Sequence, residues 1–136
     1  MSENKNLMKS FYATYSVGFI TFFLISSYMI YTPVILDLLQ ISKEELGFAV
    51  TFFGIFVIIS NLLSSRFLVP KLGTTTCLKI SRIIISFVPL PVFYFETYFF
   101  LIFSYTIFGI GMGIQVPCVL TQVTIIENKT KKILTP

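Results

Sequence analysis

Three amide side chains lie within otherwise apolar stretches of the chain: Asn61, Gln115 and Gln122. Each both donates and accepts hydrogen bonds. In hydrocarbon, such a group either bonds a neighbouring helix, which contributes about 0.6–2 kcal/mol, or faces a wet path and holds a solute. With so few of them per turn, bonding between helices is the expected role. Contact with substrate or cavity water is the functional alternative, and these three are the residues to carry it. Covalent chemistry has no such candidates. There is no Ser/His/Asp set, no H-E-x-x-H and no phosphate-binding glycine loop. The sequence therefore predicts no enzyme and no cofactor. Cys77 and Cys118 lie far apart in the chain and His is absent, so neither a metal site nor a disulfide framework is expected.

Elements that could position these amides follow from composition. The chain is 55% hydrophobic and 12% charged, against about 25% charged in an ordinary soluble domain. Mean hydropathy is +0.88. This is a membrane composition, and the lipid bilayer is the first partner implied. The net charge of +4 does not point to nucleic acid, because the basic residues sit between apolar runs and form no aromatic-interleaved patch.

The clearest run is Gly47 to Ser65, which no ionisable residue interrupts. At about 1.5 Å per residue, a helix of that length crosses roughly 30 Å of hydrocarbon. Arg66, Lys71, Lys79 and Arg82 follow with no acid among them. Short loops rich in Lys and Arg stay on the cytoplasmic side, so this stretch also supplies a direction.

The rest of the chain can be placed from it. Residues 1–10 form a short polar head with Lys5 and Lys9. The uncharged run after it is too long for the apolar core of a signal peptide, and a retained first span over 11–33 is expected, ending near Pro33. Asp37 to Glu45 is a polar connection, in which Ser42 and Glu45 have the spacing of a capping box. Spans follow over 46–66 and 77–95, separated by a basic loop, 67–76, with Pro70 and Gly73 as breakers. The third span reaches bilayer length only if Lys79 and Arg82 extend to the cytoplasmic interface, and Pro89 and Pro91 distort its outer end. Glu96-Thr97 marks a tight outer turn. A fourth span, 98–126, is long enough to tilt or unwind near Pro117, and 127–136 is a basic tail. The fold class expected is an all-α membrane protein with four transmembrane helices.

Nine of the ten Lys and Arg residues (5, 9, 66, 71, 79, 82, 129, 131 and 132) then fall on one side, and Lys43 alone on the other. That distribution predicts a multi-pass protein of the plasma or inner membrane with both termini cytoplasmic. The sequon at Asn128 to Thr130 is discounted, because this topology places it in the cytoplasm. No Asp, Glu, His or Arg is expected deep in a span, which weakens any proton relay.

Gly109-Ile-Gly-Met-Gly113 lies in the fourth span. Gly109 and Gly113 are four residues apart, share a helix face and admit another helix closely. Packing is expected of them in preference to a ligand-facing role, and of Gly47 and Gly54 in the second span.

In its order of features, the chain resembles the N-terminal part of a major facilitator superfamily transporter. Leu46-Gly47 followed by Gly54 is similar to the family's second-helix pattern. Arg66-Phe-Leu-Val-Pro-Lys-Leu-Gly73 is similar to its loop motif between helices two and three, with Lys71 and Gly73 at the basic and glycine positions. Arg66, Pro70 and Thr74 stand where that motif has a glycine, an aspartate and an arginine. Phe108 to Pro117 resembles the fourth helix, with Tyr105 where many members carry an arginine. Gly109 to Glu127 is most similar to the sugar-permease-like members related to fucose permease. The resemblance implies a partial N-terminal helix bundle of a secondary transporter for a small solute, with helices one and four lining the path and helix two packing between the halves.

Facilitator transporters have two six-helix halves built from three-helix repeats. The chain supplies one repeat and the first helix of the next. The expectation is a truncated segment, inactive alone or completed by a separately encoded remainder. A different class of function is a small non-transport interaction or assembly subunit that works as an oligomer through the Gly109/Gly113 face. A dimeric multidrug carrier of small size is disfavoured, because such proteins carry a glutamate in the first helix and none lies between Lys9 and Asp37.

Overall fold

The structure, a computed structural model, describes residues 2–134. Thr135 and Pro136 of the expected tail, and the side chains of Lys5, Lys131 and Lys132, lie outside the described residues. The described chain is almost wholly helical, with no strand among its residues. It contains α1 (Ser2–Ile30), α2 (Thr32–Leu39), α3 (Lys43–Leu63), a π-helical turn (Ser64–Leu68), α4 (Val69–Ser86), α5 (Pro89–Phe95) and α6 (Tyr98–Leu134).

Two helical stretches are long and apolar enough to cross a membrane, Lys43–Pro91 and Tyr98–Lys129. The first helix reaches that standard only as a bent pair, Phe11–Ser27 with Thr32–Leu39, at 46°. Pro33 sits in the first turn of α2, where its missing N–H costs nothing, and the bend falls just before it.

Local sequence accounts for the other breaks. Gln40 ends α2 in the left-handed region, with φ 51°, and its side-chain amide donates to the Asp37 carbonyl at 2.6 Å. The expected connection from Asp37 therefore shortens, because Asp37 itself is helical. Ser42 and Glu45 form the capping box: the Ser42 hydroxyl accepts from the Glu45 N–H at 3.2 Å and the Glu45 carboxylate accepts from the Ser42 N–H at 2.8 Å. α4 ends at Ser86, before Pro89 starts α5. Thr97 precedes α6, and its hydroxyl donates to the Phe95 carbonyl at 2.6 Å.

The expected basic loop over 67–76 is not an irregular loop. Helical structure runs through Pro70 and Lys71, and the break is at Gly73, with φ 76° and ψ 157°. A positive φ is the conformation glycine adopts without steric penalty. Pro70 lies in the first turn of α4, where a proline interrupts no hydrogen bond. The charged tail differs too: helix continues past Glu127 to Leu134.

α6 is the spine onto which the other helices dock. Leu46 and Ala49 pack with Leu101 and Tyr105, the Phe53 and Phe108 rings meet at a 33° tilt with centroids 5.1 Å apart, and Ser60 approaches Gly113. The α3 partners rise in number as α6 proceeds, so the two helices run parallel. The α4 partners fall: Ile85 lies against Gly111, Cys77 packs with Cys118, and Thr74 bonds Gln122. α4 is thus antiparallel to α6, and the chain reverses about Gly73. α1 is antiparallel as well, with Phe11 and Tyr15 beside Val123 and Ile126 and Thr21 bonded to Gln115.

These pairings sort the charges by end. Exposed Lys9, Arg66, Lys71, Lys79 and Lys129 gather at one end with Glu127, and Asp37, Lys43, Glu44, Glu45 and Glu96 at the other. The Tyr98 hydroxyl ties that second end together by donating to the Glu45 carbonyl at 2.8 Å. Between the ends, large apolar side chains face outward, among them Phe19 and Phe22, each 73% exposed.

Candidate functional site

The seam begins with the glycines of α6. A Cβ on Gly113 would lie 2.5 Å from the Val57 carbonyl oxygen and 2.9 Å from the Asn61 nitrogen. On Gly109 it would lie 2.6 Å from the Phe53 carbonyl oxygen. Backbone meets backbone at both points, which only glycine permits. Gly111, about 200° round the helix from each, instead faces α4, where a Cβ would lie 2.6 Å from Ile85 Cγ1. Three alternate glycines thus let α6 take a neighbour on two opposite sides. Gly47 and Gly54 are placed differently. A Cβ at either would meet nothing within 4 Å, so neither takes part in close packing among the described residues.

Pro117 adds a requirement. It lies inside α6, where its lack of an N–H frees the carbonyl four residues back, that of Gly113. Ser64, fully buried on the π-helical turn, places its hydroxyl 3.1 Å from this carbonyl and 3.1 Å from the Asn61 carbonyl. The α3 end therefore supplies the donor that α6 lacks, and α6 continues through Pro117 without unwinding.

The three amides do not converge on one pocket. Gln115, 3% exposed, donates to the Thr21 hydroxyl of α1, and that hydroxyl donates to the Val17 carbonyl at 2.7 Å. Gln122 donates to the Thr74 hydroxyl of α4. Asn61 is half-buried, and its Oδ1 accepts from the Ser65 hydroxyl at 3.2 Å. Two buried oxygens, Gln115 Oε1 and Ser104 Oγ, have no hydrogen-bond partner in the structure.

Arg82 departs from expectation. It does not extend to the basic end: its guanidinium reaches between helices and donates to the Val17 carbonyl of α1 at 2.5 Å. Val17 thereby accepts from Thr21 and Arg82 together, so Gln115, Thr21, Val17 and Arg82 form one polar chain joining α6, α1 and α4. The remaining loop residues lie outside this chain. Lys71 is exposed, Arg66 is exposed with its guanidinium 5.7 Å from the centre of the Phe67 ring, and Gly73 makes the turn.

Sequence reasoning missed Ser64, Thr21, Thr74 and the inward position of Arg82. One signal was available, because Pro117 implies that the Gly113 carbonyl needs a donor. Which helix supplies it depends on the α3–α6 register. A cleft of about 290 Å³ is lined by Phe11, Tyr15, Val123, Ile126 and Glu127, and none of the three amides lines it. The polar chain can orient helices and present a positive charge to the interior. No protein-family model, curated protein or solved structure matches this chain.

Proposed function

We propose that the chain is a segment of a secondary transporter of the major facilitator type, moving a small solute across a cell membrane without catalysis. In this reading four arms cross the bilayer: α1 with α2, α3 with its π-helical turn, α4 with α5, and α6. The termini and the turn at Gly73 are cytoplasmic, and a separately encoded remainder completes the solute path. The observation that carries the proposal is the alternation of arm directions about α6 with the exposed Lys and Arg residues at one end, Lys43 excepted. That pattern agrees with the distribution of Lys and Arg in inserted helices. An ionisable side chain between membrane helices is a candidate functional position, and half-buried Arg82, which bonds α4 to α1, is one here.

The test is a pair of expressions of the whole chain, with and without the polypeptide encoded immediately downstream, carrying reporters at Ile41, Gly73 and Thr97. The reading expects cytoplasmic exposure of Gly73 alone, and co-purification of the two polypeptides followed by solute uptake in vesicles. Cytoplasmic exposure of Ile41 or Thr97, or a chain that inserts correctly but binds no second polypeptide and supports no uptake, overturns it.

A further inference from the structure

The two cysteines are separated by forty residues of sequence, yet they meet. Cys77 on α4 and Cys118 on α6 are both fully buried and share one apolar cluster with Ile114. The two side chains pack in the same cluster against Ile110 and Leu78, and both thiols are free. They are the chain's only cysteines, so neither has another partner within the molecule. Their helices are antiparallel, and the Thr74–Gln122 bond fixes the register within about one turn on either side.

We infer that Cys77 and Cys118 are an oxidisable pair, a modification site at which hydrogen peroxide closes a disulfide between α4 and α6. In the first step one sulfur, as thiolate, attacks a peroxide oxygen. The S–O bond forms, the O–O bond breaks and hydroxide leaves, to be protonated by the proton released from the thiol. The resulting sulfenic acid is then attacked by the second sulfur. The S–S bond forms, the S–O bond breaks and a second water leaves. Two thiols give up two electrons and two protons, and one peroxide becomes two waters. Peroxide is small and uncharged, which suits a site buried in apolar side chains. Cytoplasmic proteins keep thiols reduced, so a pair near the basic end of the bundle reports a change in redox state and is not a permanent staple. Closed, the bond would fasten α4 to α6 next to the turn at Gly73. The disulfide itself stands on the α4–α6 packing and does not depend on solute transport, while its redox setting rests on the cytoplasmic placement of the basic end proposed above.

The experiment treats membranes containing the whole chain with hydrogen peroxide, blocks residual thiols with N-ethylmaleimide in denaturant, digests with trypsin and weighs the peptides. Cleavage after Lys71, Lys79, Arg82 and Lys129 puts the cysteines on separate peptides, 72–79 and 83–129. The expected result is a linked pair of these peptides, two hydrogens lighter than their sum, which dithiothreitol separates. Cys77→Ser should abolish the link and leave Cys118 with an added oxygen or maleimide. Wild-type chain that retains both maleimide-reactive thiols, gains oxygen without a link, or links only between molecules overturns the inference. Because the wild-type digest decides it alone, a poorly folded variant does not.

Discussion

At the scale of single residues, a few polar side chains tie the helices together: Ser64, Gln115, Gln122, Arg82 and Tyr98 each bond a group on another helix. Ser64 illustrates how much one hydroxyl can do. It serves a carbonyl that a proline two helices away left open, and an unsatisfied buried polar group costs about 1–3 kcal/mol. Ser64→Ala should therefore lower resistance to unfolding in detergent by about that amount, and Pro117→Ala in the same background should restore most of it. Equal losses in both backgrounds would show that Ser64 does not serve Gly113. For Thr21 and Gln115, a double-mutant cycle to valine and leucine should give a coupling of about 0.6 kcal/mol or more, the usual range for such bonds in membranes. Arg82→Leu removes the bond from α4 to the Val17 carbonyl of α1, so it should lower stability in detergent by about 1 kcal/mol and reduce uptake by a completed transporter. Asn61, Gln115 and Gln122 stay candidates for solute contact, and unchanged uptake after alanine replacement of all three would remove them.

At the scale of elements, the glycines divide into those that hold helices together and those that do not. Gly113→Ala forces a methyl group into the backbone of α3 and should destabilise by about 1–3 kcal/mol. Gly47→Ala meets open space and gains helix propensity, so it should be neutral or stabilising by up to about 1 kcal/mol. A thermal or detergent titration of the two variants separates them. Gly73→Ala should cost about 1–2 kcal/mol through its left-handed backbone. The sequence made much of this scale legible. The capping box, the bend before Pro33, the outer turn before Tyr98 and the close-packing Gly109/Gly113 face all follow from local residue types. Gly73 was legible as a breaker, whereas the helix on its N-terminal side was not, because charge and proline suggest a loop when read without the first-turn position that makes proline harmless. Gly47 and Gly54 suggest packing through their likeness to a second-helix pattern, and such a likeness does not say which face meets a neighbour.

At the scale of the molecule, the alternation was readable because Lys and Arg, Lys43 apart, recur after every second apolar run. The meeting of Cys77 with Cys118 was not, since it depends on the register of α4 against α6, and the inward reach of Arg82 depends on where α1 lies. Long-range pairing of this kind leaves no trace in a local pattern.

The spine position of α6 has a consequence for how the protein is made. Synthesis runs from the N-terminus, so α1, α3 and α4 leave the ribosome before the helix they dock on exists. Until α6 emerges, Ser64, Thr74 and Thr21 lack their α6 partners, and the α3 backbone at Val57 faces lipid in place of glycine. Chains stalled before Tyr98 should accordingly be held by the insertion machinery or degraded, and those stalled beyond Gln122 released as a bundle. Docking of α1, α3 and α4 is a single event, timed by the emergence of α6.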